Sequence, residues 1–115
     1  MSFRTNPRII EGITIVDCAG LATSGSGAES LESVIRELAV RERHNLKLAM
    51  NFSNVRRIDA SGIGALVSGK IAVTHRGGRM VLFSPNRQVK HLLELTQTFR
   101  PLETEAKAVA ALREN

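Results

Sequence analysis

Tryptophan and tyrosine are absent from this 115-residue chain, and only four phenylalanines occur. Aliphatic side chains must therefore fill the core. Stacking of nucleic-acid bases on aromatic rings has almost nothing to use. Cysteine is nearly absent too. Cys18 stands alone, which excludes an internal disulfide and a cysteine-based zinc site. It falls in an apolar, β-branched stretch, where a buried and inert thiol is expected. No apolar run approaches the roughly 18 residues of a membrane span. The opening "MSFRTNPR" has no apolar core of a signal peptide. A cytoplasmic protein with no membrane partner is expected.

What is present is ordinary for one globular domain spanning residues 1–115: 43% hydrophobic and 23% charged residues. The net charge is +5. That favours anionic partners at long range and says nothing about fold. The cations are spread along the chain without a run of five, so nucleic acid is not expected as a direct partner.

Element patterns alternate. Phe3 to Ile10 reads as an edge strand marked by Pro7, and Glu11-Gly12 as a turn. "ITIVDCAG" from Ile13 reads as a buried strand. Ser26 and Glu29 have capping-box spacing. They precede an amphipathic stripe of Leu31, Val34, Ile35, Leu38 and Ala39. "NLKLAMNF" from Asn45 predicts a central strand, with Ser53 to Ile58 as a connection. A second helix from Ser61 is expected to turn Ile63, Leu66, Val67, Ile71 and Thr74 inward and to end at Gly77-Gly78. "RMVLFS" predicts a strand. "NRQVKHLLELTQ" predicts a helix with Val89, Leu92, Leu93 and Leu95 inward. "FRPLE" predicts a short last strand and "TEAKAVAALRE" a last helix. The order predicts an α/β fold: one mixed β-sheet of four to five strands with about four helices. Its central strands run parallel, and the first pair is antiparallel.

The segment that invites a chemical reading is "NVRRIDASGIGALVSG", Asn54 to Gly69. Ser61 lies near a helix N-terminus, where free N–H groups and the helix dipole gather. A phosphate on its hydroxyl would meet those donors. Asp59 is placed to cap the helix. Gly62 and Gly64 each cost about 1 kcal/mol of helix stability relative to alanine. Two such costs in one turn imply that another backbone or a partner comes close. The residues alone leave capping with tight packing, and a modified serine, both open.

Other sites fail on their spacing. A nucleophile elbow needs glycines two residues either side of the serine, and Asp59 and Ile63 stand there. His44, His75 and His91 read as surface histidines. "GSGAES" at Gly25–Ser30 lacks the third glycine of a dinucleotide loop, because Ser30 holds that position. No phosphate-binding P-loop, metal constellation or cofactor motif occurs, and no catalysis is expected.

The Asp59-Ala60-Ser61-Gly62-Ile63-Gly64 run resembles the Asp-x-Ser-Gly-Leu/Ile-Gly signature of STAS domains, specifically the bacterial anti-sigma factor antagonists. "CAGLATSGSGAESL" and the C-terminal half from "HRGGRMVLFS" through "LLELT" extend the resemblance over nearly the whole chain. The resemblance implies a partner switch. An anti-sigma factor serine kinase is bound by the unmodified antagonist, which frees a sigma factor. Phosphorylation by that kinase releases the antagonist, and a cognate phosphatase resets it. Ser61 is then the phosphoacceptor, and Asp59, Gly62, Ile63, Gly64 and Thr23 the partner-binding residues. Thr23 stands where many relatives carry an aspartate, and the basic charge departs from the often acidic antagonists. Relatives that serve unphosphorylated as scaffolds of stress-signalling assemblies or as lipid-transporter subunits imply the alternative role.

Overall fold

The structure is a computed structural model that describes residues 2–42 and 44–114. Strand β1 (Arg4–Ile10) turns back into β2 (Ile13–Ala22), and helix α1 (Ser26–Glu42) leads to β3 (Lys47–Ile58). Helix α2 (Ala60–His75) leads to β4 (Arg79–Phe83), followed by α3 (Arg87–Leu95) and α4 (Glu105–Arg113). The sheet order is β1-β2-β3-β4. β1 pairs antiparallel to β2, whereas β2, β3 and β4 run parallel.

Local chemistry explains the first hairpin. Ile10 pairs with Ile13 across a two-residue turn in which Glu11 and Gly12 both have positive φ, 52° and 80°. That combination matches the right-handed twist of the flanking strands. Pro7 sits in β1, which has a neighbour on one side only.

The sheet separates two apolar layers by simple alternation. Val16, Cys18, Leu48, Met50, Phe52 and Leu82 face α1, α2 and α3, meeting Leu31, Ile35, Leu66, Val73, Val89 and Leu93. Ile13, Ile15, Ala49 and Phe83 face the other way, onto Ala108 and Leu112 of α4. Fully burying each such side chain contributes about 1.5–3 kcal/mol. On its outer side α4 is fixed by polar contacts. Arg8 donates from Nε to Asp17 at 2.7 Å and from Nη2 to Glu105 at 2.5 Å, and Asn51 donates to the same Asp17 at 2.8 Å. The Arg8 guanidinium, ahead of the Asn51 amide, holds the Asp17 carboxyl below its ordinary value.

Several elements depart from the expectation. Ser53 to Ile58 is not a connection but the second half of β3. Its polar residues face solvent, while Val55 and Ile58 are buried. Two register shifts against β2, between Asp17 and Ala19 and between Gly20 and Leu21, absorb the irregular spacing that hid this half of the strand. "FRPLE" contributes a single bridge from Leu102 to Phe83 and no strand. Ser26 is the first residue of α1 rather than a cap before it, and Ala28 N donates to Thr23 O at 2.9 Å.

The inward face of α2 is Gly62, Ala65, Leu66, Gly69 and Val73, so that of the expected set only Leu66 is fully enclosed. Gly69 explains the rotation: a Cβ there would lie 2.7 Å from Ile35 of α1. The helices meet too closely for a larger side chain. In α3, Val89 and Leu93 are buried, but Leu92 and Leu95 face out. The predicted end of α2 holds. Gly77 (φ 78°) and Gly78 donate back to Thr74 O and Val73 O, the hydrogen-bond pair of a Schellman ending.

Candidate functional site

Parallel strands joined by right-handed crossovers bring the start of every crossover helix to one end of the sheet. There β2 ends at Ala22 and β3 at Ile58, and α1 and α2 begin. The junction is built around one carboxylate. Asp59 has extended backbone (φ −126°, ψ −171°) and caps α2: its Oδ1 accepts from Gly62 N at 3.0 Å. Its Oδ2 reaches across to accept from Ser24 N at 2.8 Å. The Ser24 N–H first, and the Gly62 N–H second, hold the Asp59 carboxyl below its ordinary value. It is ionised at neutral pH and ties the β2–α1 loop to the first turn of α2.

Each residue expected at the site can now be placed. Ser61 is exposed in the first turn of α2. Thr23 is half-buried in the β2–α1 loop, brought to the same end of the sheet by the Ser24–Asp59 bond. Ile63 is half-buried and packs against the main core. The two glycines, alike in sequence, have opposite roles. A Cβ on Gly62 would lie 2.0 Å from the carbonyl oxygen of Ala22 and 2.7 Å from Ile58. Gly62 is therefore required by the fold, as the place where β2 and α2 touch. A Cβ on Gly64 would meet nothing within 4 Å. Nothing inside the domain explains Gly64, which leaves bare backbone one turn from Ser61.

Sequence reasoning missed Ser24 and Ala22. Both act through backbone atoms, and no side-chain pattern announces such contacts. Gly27 belongs to the same construction: its Cβ would lie 2.1 Å from Leu21 O, so both helices start hard against the end of β2.

His44, His75 and His91 are exposed, as expected of surface histidines. Cys18 is buried, and desolvation, ahead of the nearby Asp17 charge, pushes its thiol up to about 12. It stays a protonated core residue. Among the described residues no group of three or more histidine, cysteine, aspartate or glutamate side chains is placed to hold a metal ion. No described helix is long and apolar enough to cross a membrane.

Comparison with curated protein sequences gives no significant match. Solved structures resemble the chain in fold. A protein of Thermotoga maritima assigned as an anti-sigma factor antagonist superposes with a TM-score of 0.80 at 21% identity, over 96% of this chain and 95% of that one. The Bacillus anti-sigma factor antagonist SpoIIAA matches in its unphosphorylated form with a TM-score of 0.71 at 16% identity, over 98% of this chain and 99% of that one. Its phosphorylated form matches with a TM-score of 0.68. The murine anion transporter Slc26a9 contains the same fold, with a TM-score of 0.71 at 19% identity over 94% of this chain and 19% of the transporter. The STAS domain family model matches residues 4–111, nearly the whole chain. With the sheet order and the capped serine turn described above, this establishes that the chain belongs to the STAS domain family.

Proposed function

We propose that this STAS domain is an anti-sigma factor antagonist whose binding to an anti-sigma factor serine kinase is switched off by phosphorylation at Ser61. The observation that carries the proposal is the pairing of an exposed Ser61 with an open Gly64 on a helix start pinned by Asp59. The hydroxyl is presented on a fixed turn, and no side chain shields the backbone one turn on. Partner contacts fall to Asp59, Ile63, Gly64 and Thr23 around it. Gly62 contributes by letting α2 seat.

In the transfer, the Ser61 Oγ attacks the γ-phosphorus of ATP. The bond to ADP breaks, and a base of the kinase takes the hydroxyl proton. The catalytic apparatus belongs to the kinase, and this chain supplies the acceptor only. The phosphoserine then carries a charge of about −1.5 to −2 at neutral pH. In a contact fitted to a neutral hydroxyl, that charge is desolvated without a partner, and a loss of about 1–3 kcal/mol weakens binding by one to two decades. In the free domain the same charge sits at the positive end of α2. Asp59 already uses the Gly62 N–H there, so the two negative groups share the remaining donors. The net effect on stability is small, and the switch works through the contact surface.

The test is incubation with the candidate kinase and ATP, followed by mass-spectrometric mapping. Labelling is expected at Ser61 and abolished in Ser61→Ala, which keeps kinase binding. Ser61→Asp is expected to weaken binding at least roughly tenfold, with a thermal midpoint within a few degrees of wild type. Labelling that persists at Ser53, Ser68 or Thr98 removes the assignment. Tight binding by chemically phosphorylated protein removes the switch.

The fold shared with part of an anion transporter supports a second role, as a scaffold or transporter subunit. In that role assembly is indifferent to Ser61 chemistry. Pull-downs recover a large or membrane-bound complex in place of a soluble kinase.

A further inference from the structure

A trough runs along the outer side of the α1–α2 pair and encloses about 720 Å³. Its origin lies in side-chain size. Close contact at Gly69 and Ile35 draws the helices together on the inside. On the outside Ala39, Gly64 and Ala72 are too small to fill the space between them. The walls are Val40, 60% exposed, and Ile71, 62% exposed. These are two of the five large apolar side chains that the described residues leave in solvent, and they stand on the same trough. Beside them, Arg36 donates to Ser68 at 2.7 Å and to Glu32 at 2.8 Å, a clasp between the two helices. From Gly64 to Arg76 the trough follows α2 for roughly 18 Å, three helical turns.

We propose that this trough docks an acidic amphipathic helix of a partner protein. Three features specify the occupant. The floor and walls are apolar, which suits the i, i+3, i+4, i+7 face of a helix laid in a groove. The length matches three turns. The charge leans one way: Arg76 lines the trough with no carboxylate among the lining residues, while the Arg36 charge is spent on Glu32. The whole chain carries +5 in the same sense. A helix with acidic flanks meets Arg76 on its rim and an apolar floor beneath. A basic helix with the same apolar face meets repulsion. Gly64 belongs both to this trough and to the serine turn, so the two surfaces adjoin.

The probe is a fluorescein-labelled helical peptide of about five turns, with leucines at i, i+3, i+4 and i+7 and glutamates on its other faces. A second peptide replaces every glutamate by lysine. Titration of the full chain, read by fluorescence anisotropy and amide chemical-shift mapping, is expected to give saturable binding of the acidic peptide. The shifts should centre on Val40, Val67 and Ile71. Ile71→Asp, and separately Arg76→Glu, should each weaken binding roughly tenfold or more. Ile9→Asp, at another exposed apolar residue on β1, should leave it unchanged. Thermal melts report whether each variant folds, and Arg76→Glu keeps the test intact if Ile71→Asp does not. Equal binding of the lysine peptide, absence of binding, or shifts centred on Leu92 and Leu95 would overturn the proposal. So would an Ile71-dependent dimer in sedimentation that excludes the peptide, or Ile71-dependent binding to phosphatidylglycerol vesicles without peptide binding.

Discussion

Single residues show best why two identical letters in a motif need not share a purpose. Gly62 and Gly64 both lower the helical tendency of the first turns of α2, yet only Gly62 is held by its surroundings. A methyl group at Gly62 has to displace the Ala22 carbonyl, a backbone atom of a central strand that cannot retreat. Gly62→Ala is expected to destabilise by roughly 1–3 kcal/mol or more. A methyl group at Gly64 projects into open space in a residue with no positive φ. Gly64→Ala is expected to stabilise by about 1 kcal/mol, raising the thermal midpoint by about 4 °C. Denaturant and thermal melts of the two variants check this pair. Equal losses would mean that α2 enters the fold differently. A Gly64→Ala variant that is more stable but binds the proposed kinase less well would locate the partner's approach on that open backbone.

Among the elements, α4 adds a charged bridge to its burial. Ala108 and Leu112 hold it from below, and Arg8 bridges Asp17 and Glu105 at its N-terminal end. The Asp17 carboxyl titrates below its ordinary value of 3.8 in the folded protein, chiefly because Arg8 donates to it. The stabilisation from this depressed value is therefore complete above 3.8 and is lost as pH falls through the folded value. Asp17 lies on β2 and Arg8 on β1, so the β1 amides are expected to lose hydrogen-exchange protection on acidification before those of α2. Arg8→Met should cost only on the order of 1 kcal/mol, because the guanidinium is about a third exposed and solvent screens it. In that variant β1 should no longer open ahead of α2 as pH falls. Simultaneous opening of β1 and α2 in the wild type would count against a stabilising Arg8–Asp17 pair.

The elements also differ in how plainly they could be read from the sequence. β1, its turn, β2 and α1 were legible because each carries a strong local signal, such as Glu11-Gly12, the β-branched run from Ile13 or the Leu31–Ala39 stripe. Helix α2 has aliphatic residues all round, from Ile63 and Leu66 to Ile71 and Val73, so its periodicity does not choose a face. The choice is made by the smallness of Gly62 and Gly69 against β2 and α1, which is tertiary information. The second half of β3 alternates irregularly because β2 is bulged beside it. At the site, Asp59 and Ser61 were legible as a motif. The bond from Asp59 to Ser24 N spans 35 positions and involves no distinctive side chain, so nothing in the sequence marks it.

For the molecule as a whole, the +5 charge acts at a distance that individual contacts do not. Association with an acidic partner is expected to slow by roughly tenfold between low and high salt, with a much smaller change in dissociation. Stopped-flow measurements at several ionic strengths check this. A rate indifferent to salt would confine the charge to a role in solubility. Phosphorylation at Ser61 subtracts about 1.5–2 of those charges and should slow the same encounter in the same direction as salt.

The polarity of the sheet also decides how the protein can be handled. Ser2 lies against Gly20, near the end of β2 from which α1 and α2 set out, where a Cβ on Gly20 would meet its carbonyl oxygen. Glu114 lies at the opposite end, its carbonyl accepting from Arg79 at the start of β4. A fusion or dye joined ahead of Ser2 therefore crowds the serine turn, and a surface linkage there would mask it. Anchoring through the residues after Glu114 turns the serine turn toward solution. For binding work the domain is best tethered by its carboxyl end.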